Sequence, residues 1–288
     1  LRPGLPSVTL PSACDVLIVG GGVMGTSAAF HLAEAGVDVM LVERGELSGG
    51  STSKAAGGVR ANFSDELNIM LGKRSLDLFA EFPQRPGQEI DLHRSGYLFV
   101  LTRPEDVELF TASVALQNSL GVESRMVDVD EACRLSPLLD PEGVLAAAWS
   151  PHDGHCTPES VVLGYATGAR RLGATVRTGV AVTGISHAGG EITGVQTTDG
   201  DVATGCVIDC AGAWSPEIAA YVGVELPVTP YKRELLITEP LAEPFDTAFT
   251  IDYATSLYWH REGPGVLTGF SRKDTDAGFD ISRDADFP

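Results

Sequence analysis

The segment 15–25, DVLIVGGGVMG, is the feature that most constrains what this chain can fold into. Its apolar half predicts a short buried strand, and the following TSAAFHLAEAG predicts a helix that ends at Gly36. VDVMLVE then predicts a second strand, which completes a β-α-β unit of about 30 residues. Because strands joined by such a crossover run parallel, the sequence predicts an α/β fold.

Three glycines in this unit predict a dinucleotide site. Gly20, Gly22 and Gly25 fit G-x-G-x-x-G: the first permits a tight turn, the second admits a pyrophosphate, and the third packs helix on strand. The helix N-terminus would offer free N–H groups to the phosphates. Glu43 ends the second strand, where a carboxylate grips ribose hydroxyls, and it would repel the 2′-phosphate that Arg44 could otherwise attract. NADP is therefore disfavoured.

The rest of the chain alternates between helical and strand patterns. Helical spacing predicts helices over 65–82, 104–120 and 158–172, the last one capped by Thr157. Strands are predicted over 96–101, 174–186, 191–198, 201–212, 232–239, 256–262 and 265–271, with antiparallel alternation in the last three.

Composition excludes several classes of protein. The formal charge of −19 over 288 residues disfavours binding to nucleic acid or anionic membranes. No apolar run reaches the roughly 20 residues of a membrane span, and the opening residues lack a signal-peptide core. Five cysteines without CxxC spacing predict reduced thiols in a cytoplasmic protein.

The small-residue segment SGGSTSKAAGGVR at 48–60 favours FAD over NAD, because it can lie along an extended cofactor where an NAD fold usually continues with another β-α unit. From 15 to about 273 the chain resembles the FAD-dependent amino acid and amine oxidoreductases related to D-amino acid oxidase. It is most similar to sarcosine oxidases, dimethylglycine dehydrogenases and proline or opine dehydrogenase subunits. The resemblance rests on VGGGVMG, VERG, STSKAAGGVR, GYLFV, DGHCTPES, GATV, CAGAWSPEIA and LYWHREG.

This resemblance implies a set of cofactor contacts. They are Gly20, Gly22, Met24 and Gly25 at the pyrophosphate, Glu43 at the ribose with Arg44 beside it, Ser51, Thr52 and Ser53 at phosphate or ribityl oxygens, Ala56, Gly57 and Gly58 beside the flavin ring, Val182 at adenine, and Ala211, Gly212 and Trp214 near the nucleotide. Lys54 stands where covalently flavinylated relatives have a histidine, so noncovalent FAD is expected. Lys54 either pairs with phosphate or flavin oxygens or is a solvated surface lysine.

The resemblance also implies substrate contacts. Arg60 would hold a substrate carboxylate in a bidentate fork, and its alternative is a structural salt bridge. Tyr258 and His260 share one face of a predicted strand and would line the pocket, or pack in an ordinary core.

The fold implied is a Rossmann-type FAD-binding domain, 12–88 with 147–226, interwoven with an antiparallel-sheet substrate domain, 89–146 with 227–288. The function implied is oxidation of the C–N bond of an amino acid or N-alkylated amino acid by hydride transfer to flavin N5.

Monomeric sarcosine oxidases carry a lysine where Leu267 stands in this sequence. The absence of a lysine at that position favours a dehydrogenase that uses a quinone or an acceptor subunit, although Lys54 could take the place of the missing lysine. Relatives continue beyond 288 with a flavin-wrapping segment, so we expect a fragment of a longer protein.

The histidines and cysteines predict neither a metal site nor a thiol nucleophile. His152, His155 and Cys156 match no common zinc spacing, so no metal is expected. Cys210 is predicted to be a buried thiol rather than a nucleophile.

Two other functions are compatible with parts of this pattern. An NAD(P)H-dependent flavin monooxygenase or reductase shares the nucleotide fold. GGVRANFS also resembles assembly factors that bind FAD as a scaffold without turnover.

Overall fold

The structure, a computed structural model, describes residues 10–242, 245–272 and 275–283; the predicted domain end at 284–288 lies outside them. The helices are α1 (Val23–Glu34), α2 (Glu66–Ala80), α3 (Pro104–Ser119), α4 (Val129–Leu135), α5 (Pro158–Arg171) and α6 (Ser215–Ala220). The strands are β1 (Val16–Val19), β2 (Val39–Glu43), β3 (Gly58–Val59), β4 (Tyr97–Leu101), β5 (Arg125–Val127), β6 (Ala146–Ser150), β7 (Gly154–His155), β8 (Thr175–Thr178), β9 (Val182–Ala188), β10 (Glu191–Thr197), β11 (Gly200–Ala203), β12 (Val207–Asp209), β13 (Glu234–Ile237), β14 (Phe249–Asp252), β15 (Tyr258–Glu262) and β16 (Gly265–Phe270).

The chain forms two compact units, each assembled from three separate segments. The first unit comprises Leu1–Ala55, Pro83–Ile90 and Pro158–Thr229. The second unit comprises Ala56–Phe82, Asp91–Thr157 and Pro230–Pro288.

The first unit is built on a parallel sheet with the order β12-β1-β2-β8. A second sheet, β11-β10-β9, is antiparallel. Apolar side chains from both sheets, among them Leu17, Met40, Ile185 and Val195, form one buried cluster. The β-α-β unit expected at the start of the chain is therefore present, with β1 and β2 in parallel register from Val16 opposite Val39.

Helix α5 packs closely on α1 in this unit. Pro158 begins α5, as suits the first helical position, where its missing N–H is not needed. At Gly168 a Cβ atom would lie 2.8 Å from a ring carbon of Phe30 and 2.8 Å from the Cβ of Pro86. The close approach of the two helices therefore depends on the absence of a side chain at Gly168.

The second unit is built on a seven-stranded sheet with the order β13-β16-β15-β14-β4-β6-β5. Neighbouring strands run antiparallel except for β14 and β4, which are parallel. All five residues of β4 are buried, because both faces of this strand are covered. On one face its side chains form an apolar cluster with Val114 of α3, and on the other face they form a second cluster with Ala132 of α4. Continuous burial explains why YLFVL lacks polar alternation.

A short ladder of β3 and β7 is separate from this sheet. Gly58 pairs with His155 and Val59 with Gly154 in antiparallel register. The Cys156 N–H extends the ladder by donating to the Gly57 carbonyl over 2.9 Å. This ladder fixes the backbone immediately before Arg60.

Two strand predictions are wrong in extent. The predicted strand 174–186 is two strands, β8 in the parallel sheet and β9 in the antiparallel one, because Gly179 turns the chain with a φ of 73°. The predicted strand 201–212 likewise splits into β11 and β12. Between them the Thr204 hydroxyl lies 3.1 Å from the carbonyls of Asp15 and Cys206, which redirects the backbone.

The units divide the chain differently from the predicted boundaries. Residues 56–82 and 147–157 belong to the second unit. Residues 56–82 belong there because Ile69 and Leu76 of α2 pack with Val122 of that unit. Residues 147–157 belong there because β6 pairs with β4 and β5. The roles assigned to the two parts, cofactor and substrate binding, stay predictions.

The predicted fold class is confirmed: a parallel Rossmann-type sheet forms one unit and a largely antiparallel sheet the other. Among the described residues, no helix has the length and apolar character required to cross a bilayer.

We expect Gly168→Val to lower the free energy of unfolding by about 2 kcal/mol, because the added side chain overpacks the α1–α5 contact. Chemical denaturation monitored by circular dichroism measures this. Leu163→Ala, at an exposed position of α5, is the matched control and should change stability far less. Equal effects of the two substitutions would contradict the packing argument.

Candidate functional site

The turn between β1 and α1 brings three backbone segments into contact. Gly20 has a φ of 112°, and a Cβ there would collide with the carbonyl oxygen of Cys210 at the end of β12. A Cβ at Gly25 would collide with the carbonyl oxygen of Gly20. These two positions therefore require glycine, the first for the tight turn and the other for packing the helix against the turn.

The N-terminus of α1 is open. Its N-cap residue is Gly22, which has no side chain to cap the helix, and its first turn contains no acidic residue. The Val23 N–H lies 3.2 Å from the Thr52 hydroxyl oxygen. The positive end of the helix dipole is thus left for an external anion, as in phosphate-binding turns.

Glu43 holds the glycine turn against the end of β2. One carboxylate oxygen accepts a hydrogen bond from the Gly21 N–H at 2.7 Å, and the other accepts from the Gly45 N–H at 2.8 Å. Both bonds involve a charged acceptor, which makes them stronger than neutral ones. The carboxylate is therefore fixed beside the turn.

A cleft of about 680 Å³ in the first unit collects most of the predicted cofactor residues. They are Gly20, Gly22, Met24, Glu43, Arg44, Ser51, Thr52, Val182, Ala211, Gly212 and Trp214. The Arg44 guanidinium lies over the Trp214 ring, 4.2 Å from its centroid. The cleft thus combines glycine backbone, a helix N-terminus, an acid and an aromatic ring, and its volume suits a nucleotide.

Six predicted cofactor residues do not line this cleft: Gly25, Ser53, Lys54, Ala56, Gly57 and Gly58. Gly25 packs under the turn instead. The Lys54 ammonium donates to the carbonyl oxygens of Gly49 and Gly50 at 2.7 and 2.8 Å, so it closes its own loop. Ala56, Gly57 and Gly58 belong to the second unit, where a Cβ at Gly58 would collide with the Tyr97 hydroxyl.

Other lining residues were not predicted. Gly21, Gly49 and Gly50 were visible in the sequence as members of glycine clusters. Tyr221, by contrast, follows α6 and reaches the cleft through tertiary packing, for which the local sequence contains no signal.

Arg60 in the second unit is a half-buried cation surrounded by aromatic rings. Its guanidinium carbon lies 4.2 Å from the ring centroid of Phe63 and 5.3 Å from that of Phe99. It donates to the backbone and side-chain oxygens of Asn62 at 3.2 and 3.1 Å. Burial lowers the pKa of the guanidinium, an effect that Tyr97 and Asp153 oppose. In the described part of the chain no carboxylate forms an ion pair with Arg60, so the structural salt bridge finds no partner there.

Tyr258 and His260 lie on the same face of β15, as predicted. Phe249 packs against both, with ring centroids 6.0 Å from Tyr258 and 4.7 Å from His260, and it stacks on Tyr97 at 4.3 Å. An aromatic row therefore connects β15 to the ring that borders Arg60.

The two predicted pocket residues differ in availability. His260 is only 1% exposed, and its ring nitrogens lie 3.0 and 2.7 Å from the carbonyl oxygens of Ala56 and Arg261. Burial lowers its pKa. Its ring therefore anchors the backbone at Ala56, whereas Tyr258 is half-buried and remains the candidate for ligand contact.

The residues of PHDGHC do not converge on one point. His152 is exposed and lies 3.0 Å from Glu123, whereas the His155 ring packs between those of His93 and His260. Burial raises the pKa of the Cys156 thiol to about 12. No cluster of three or more potential metal ligands occurs within residues 10–242, 245–272 and 275–283.

Burial also raises the pKa of the Cys210 thiol, which disfavours a nucleophilic role for this cysteine.

Comparisons with known proteins agree with this geometry. The family model of FAD-dependent oxidoreductases, DAO, matches residues 15–285. The chain belongs to this family. The resemblance predicted from the sequence is thereby confirmed, and FAD is the cofactor.

Individual relatives cover nearly the whole chain. It is 30% identical over 279 residues to the mitochondrial dimethylglycine dehydrogenase of Rattus norvegicus, covering 93% of this chain and 32% of that protein. It is 28% identical to the mitochondrial sarcosine dehydrogenase of Homo sapiens, covering 92% and 30%. The crystal structure of L-proline dehydrogenase from P.horikoshii superposes with a TM-score of 0.91 at 30% identity, covering 96% of this chain and 75% of that one. The chain thus spans about a third of the length of the two curated relatives.

The residues of the first unit fit FAD. The turn excludes Cβ atoms at Gly20, the α1 N-terminus carries no competing acid, and Glu43 is fixed beside both. Noncovalent binding is typical of the family. Lys54 has no imidazole for a histidyl link, and its ammonium donates to two backbone carbonyls instead.

We expect Glu43→Gln to weaken FAD binding about tenfold or more, because the amide loses one of the two charge-assisted acceptors that fix the turn. Titration of deflavinated full-length protein with FAD, followed by flavin fluorescence, measures the dissociation constant. Asp38→Asn, an exposed acid just before the same strand, is the matched control. Unchanged affinity in Glu43→Gln would contradict the assigned role.

Proposed function

We propose that the protein oxidises the C–N bond of an amino acid or N-alkylated amino acid. The observation that supports this most directly is Arg60, a half-buried guanidinium among aromatic rings with no ion-pair partner in the described residues. A guanidinium that is partly withdrawn from water attracts an anion within hydrogen-bond reach more strongly than a fully solvated one does. A substrate carboxylate has the charge and the planar, two-oxygen shape that a guanidinium fork matches.

The relatives support the same substrate class. The names dimethylglycine, sarcosine and proline dehydrogenase describe those proteins, and the three compounds share an N-alkylated nitrogen one carbon away from a carboxylate. One recognition scheme, a cation for the carboxylate and apolar walls for the alkyl groups, serves all three. Phe63, Phe99 and Tyr97 supply aromatic walls around Arg60.

In the proposed reaction the residues of this chain bind and orient the substrate. FAD, when bound, supplies the hydride acceptor that makes oxidation of the carbon next to nitrogen feasible. Arg60 fixes the carboxylate, so the substrate enters with its nitrogen and adjacent carbon in one orientation. The Tyr258 hydroxyl, whose pKa is raised by burial, stays neutral and can donate a hydrogen bond. A substrate amine that binds deprotonated needs no protein base, and the imine product is hydrolysed by water.

We further propose that electrons leave to a quinone or an acceptor subunit rather than to oxygen. Leu267, at the position where monomeric sarcosine oxidases carry a lysine, is an apolar residue buried in β16. Lys54 is engaged by the Gly49 and Gly50 carbonyls, so it is a poor substitute. Stopped-flow reoxidation of the reduced protein by air and by a quinone dye compares the two routes, and faster reoxidation by air would contradict this proposal.

The substrate class is tested by adding sarcosine, dimethylglycine, proline and opines to the full-length FAD-loaded protein. Loss of the visible absorbance of oxidised flavin reports reduction. Bleaching by at least one compound without NAD(P)H is expected. Reduction by NAD(P)H alone would indicate a monooxygenase or reductase, and a stable yellow protein that nothing reduces would indicate a scaffold.

We expect Arg60→Ala to lower kcat/KM for carboxylate substrates about 10- to 100-fold, because two charge-assisted hydrogen bonds are lost, with FAD retention unchanged. Arg60→Lys should recover part of the loss, since a lysine restores the charge without the fork. Arg125→Ala removes an exposed arginine that pairs with Glu131 and is the matched control. Wild-type activity in Arg60→Ala would overturn the carboxylate assignment.

A further inference from the structure

Asp153 is a buried acid in the loop between β6 and β7. It is 1% exposed. One oxygen of its carboxylate accepts a hydrogen bond from the Ala61 N–H at 3.1 Å, and its backbone carbonyl accepts from the Gly96 N–H at 2.9 Å. The carboxylate is therefore hydrogen-bonded to the backbone of Ala61, the residue that follows Arg60.

The second carboxylate oxygen of Asp153 is buried and accepts no hydrogen bond of regular geometry in the described part of the chain, although the Asn62 N–H favours the ionised carboxylate. Burying an ionised carboxylate with an unpaired oxygen is unfavourable. Burial accordingly raises the pKa of Asp153 to about 6, against the opposing effects of the Ala61 and Asn62 N–H groups, Arg60 and His152. An acid retained in this position at such a cost suggests a use for its charge.

The charged and titratable groups around Asp153 come from several elements. Arg60, next to β3, and His152, on the same loop, favour the ionised form. The Asp153 charge in turn raises the pKa of Tyr97 on β4. Beyond the β7 ladder, His93 is paired with Asp91 at 3.0 Å. Among these groups Arg60 is the half-buried cation, and the charge of Asp153 favours the cationic form of Arg60.

We propose that Asp153 is the internal counter-charge of Arg60 and takes up one proton from solvent when a ligand carboxylate binds there. The inference rests on the proposed carboxylate-binding role of Arg60. A ligand carboxylate would place a second negative charge beside the same guanidinium, and like charges in a poorly solvated site disfavour joint ionisation. The guanidinium fork stabilises the ligand carboxylate in its ionised form, so the buried acid, whose second oxygen accepts no regular hydrogen bond, takes up the proton.

Proton uptake by Asp153 determines how carboxylate affinity depends on pH. In the free protein Asp153 is ionised above a pH of about 6. Ligand binding raises that value, so the complex holds more protons than the free protein in the window above pH 6. Carboxylate affinity should therefore fall as pH rises through this window, by about tenfold for each unit by which the ligand raises the pKa.

Isothermal titration calorimetry of the FAD-loaded full-length protein with propionate tests this inference, because propionate has no amine that titrates in the same range. At pH 7.5, titrations in phosphate and in Tris, buffers with different ionisation enthalpies, reveal the number of protons taken up. Net uptake by the wild type is expected. Asp153→Asn retains an acceptor for Ala61 and should show no uptake, with affinity tighter than wild type at pH 8.

Asp130→Asn, an exposed acid on α4 of the same unit, is the matched control and should keep the wild-type uptake. Propionate binding without proton uptake would overturn this inference while leaving the role of Arg60 intact. Absence of propionate binding to the wild type, with FAD in place, would overturn both. If Asp153→Asn fails to fold, the two-buffer titration of the wild type still tests the inference, because absence of proton uptake would overturn it.

Discussion

The structure of the first unit depends on a close approach of three backbone segments at the β1–α1 turn. Gly20 lies against Cys210 from one direction and over Gly25 from the other, so no side chain fits between the turn, the helix and the end of β12. Glu43 then fastens the turn to the end of β2 through the Gly21 N–H. The same contacts that pack the sheet therefore leave an open helix N-terminus facing the cleft.

The second unit fixes the backbone of Arg60 through hydrogen bonds to the residues on either side of it. The β3–β7 ladder fixes the backbone through Val59, and the Asp153 carboxylate fixes Ala61, so Arg60 is held on both sides. Aromatic rings then limit its contact with water, which strengthens its attraction for an anion. Recognition of a carboxylate and control of the charge beside it would thus arise from the same short segment.

The sequence predicted the nucleotide turn well because its determinants lie close together along the chain. Gly20, Gly25 and Glu43 fall within one β-α-β unit, and their spacing alone specifies the geometry. Asp153 was missed because its partner Ala61 is 92 residues away and only tertiary structure brings them together. Lys54 could not be assigned, since a long side chain can satisfy itself on local carbonyls. The burial of His260 could not be predicted either, because strand alternation shows which side chains share a face of the sheet but not which elements cover that face.

The central claim is that this chain holds FAD on the glycine turn of its first unit. Equilibrium titration of the deflavinated full-length protein with FAD, NAD and NADP tests it most directly. Saturable binding of FAD at one site per chain, with much weaker binding of both nicotinamide nucleotides, is the expected result. A correctly folded protein that takes up no FAD, or that prefers NAD, would contradict the account.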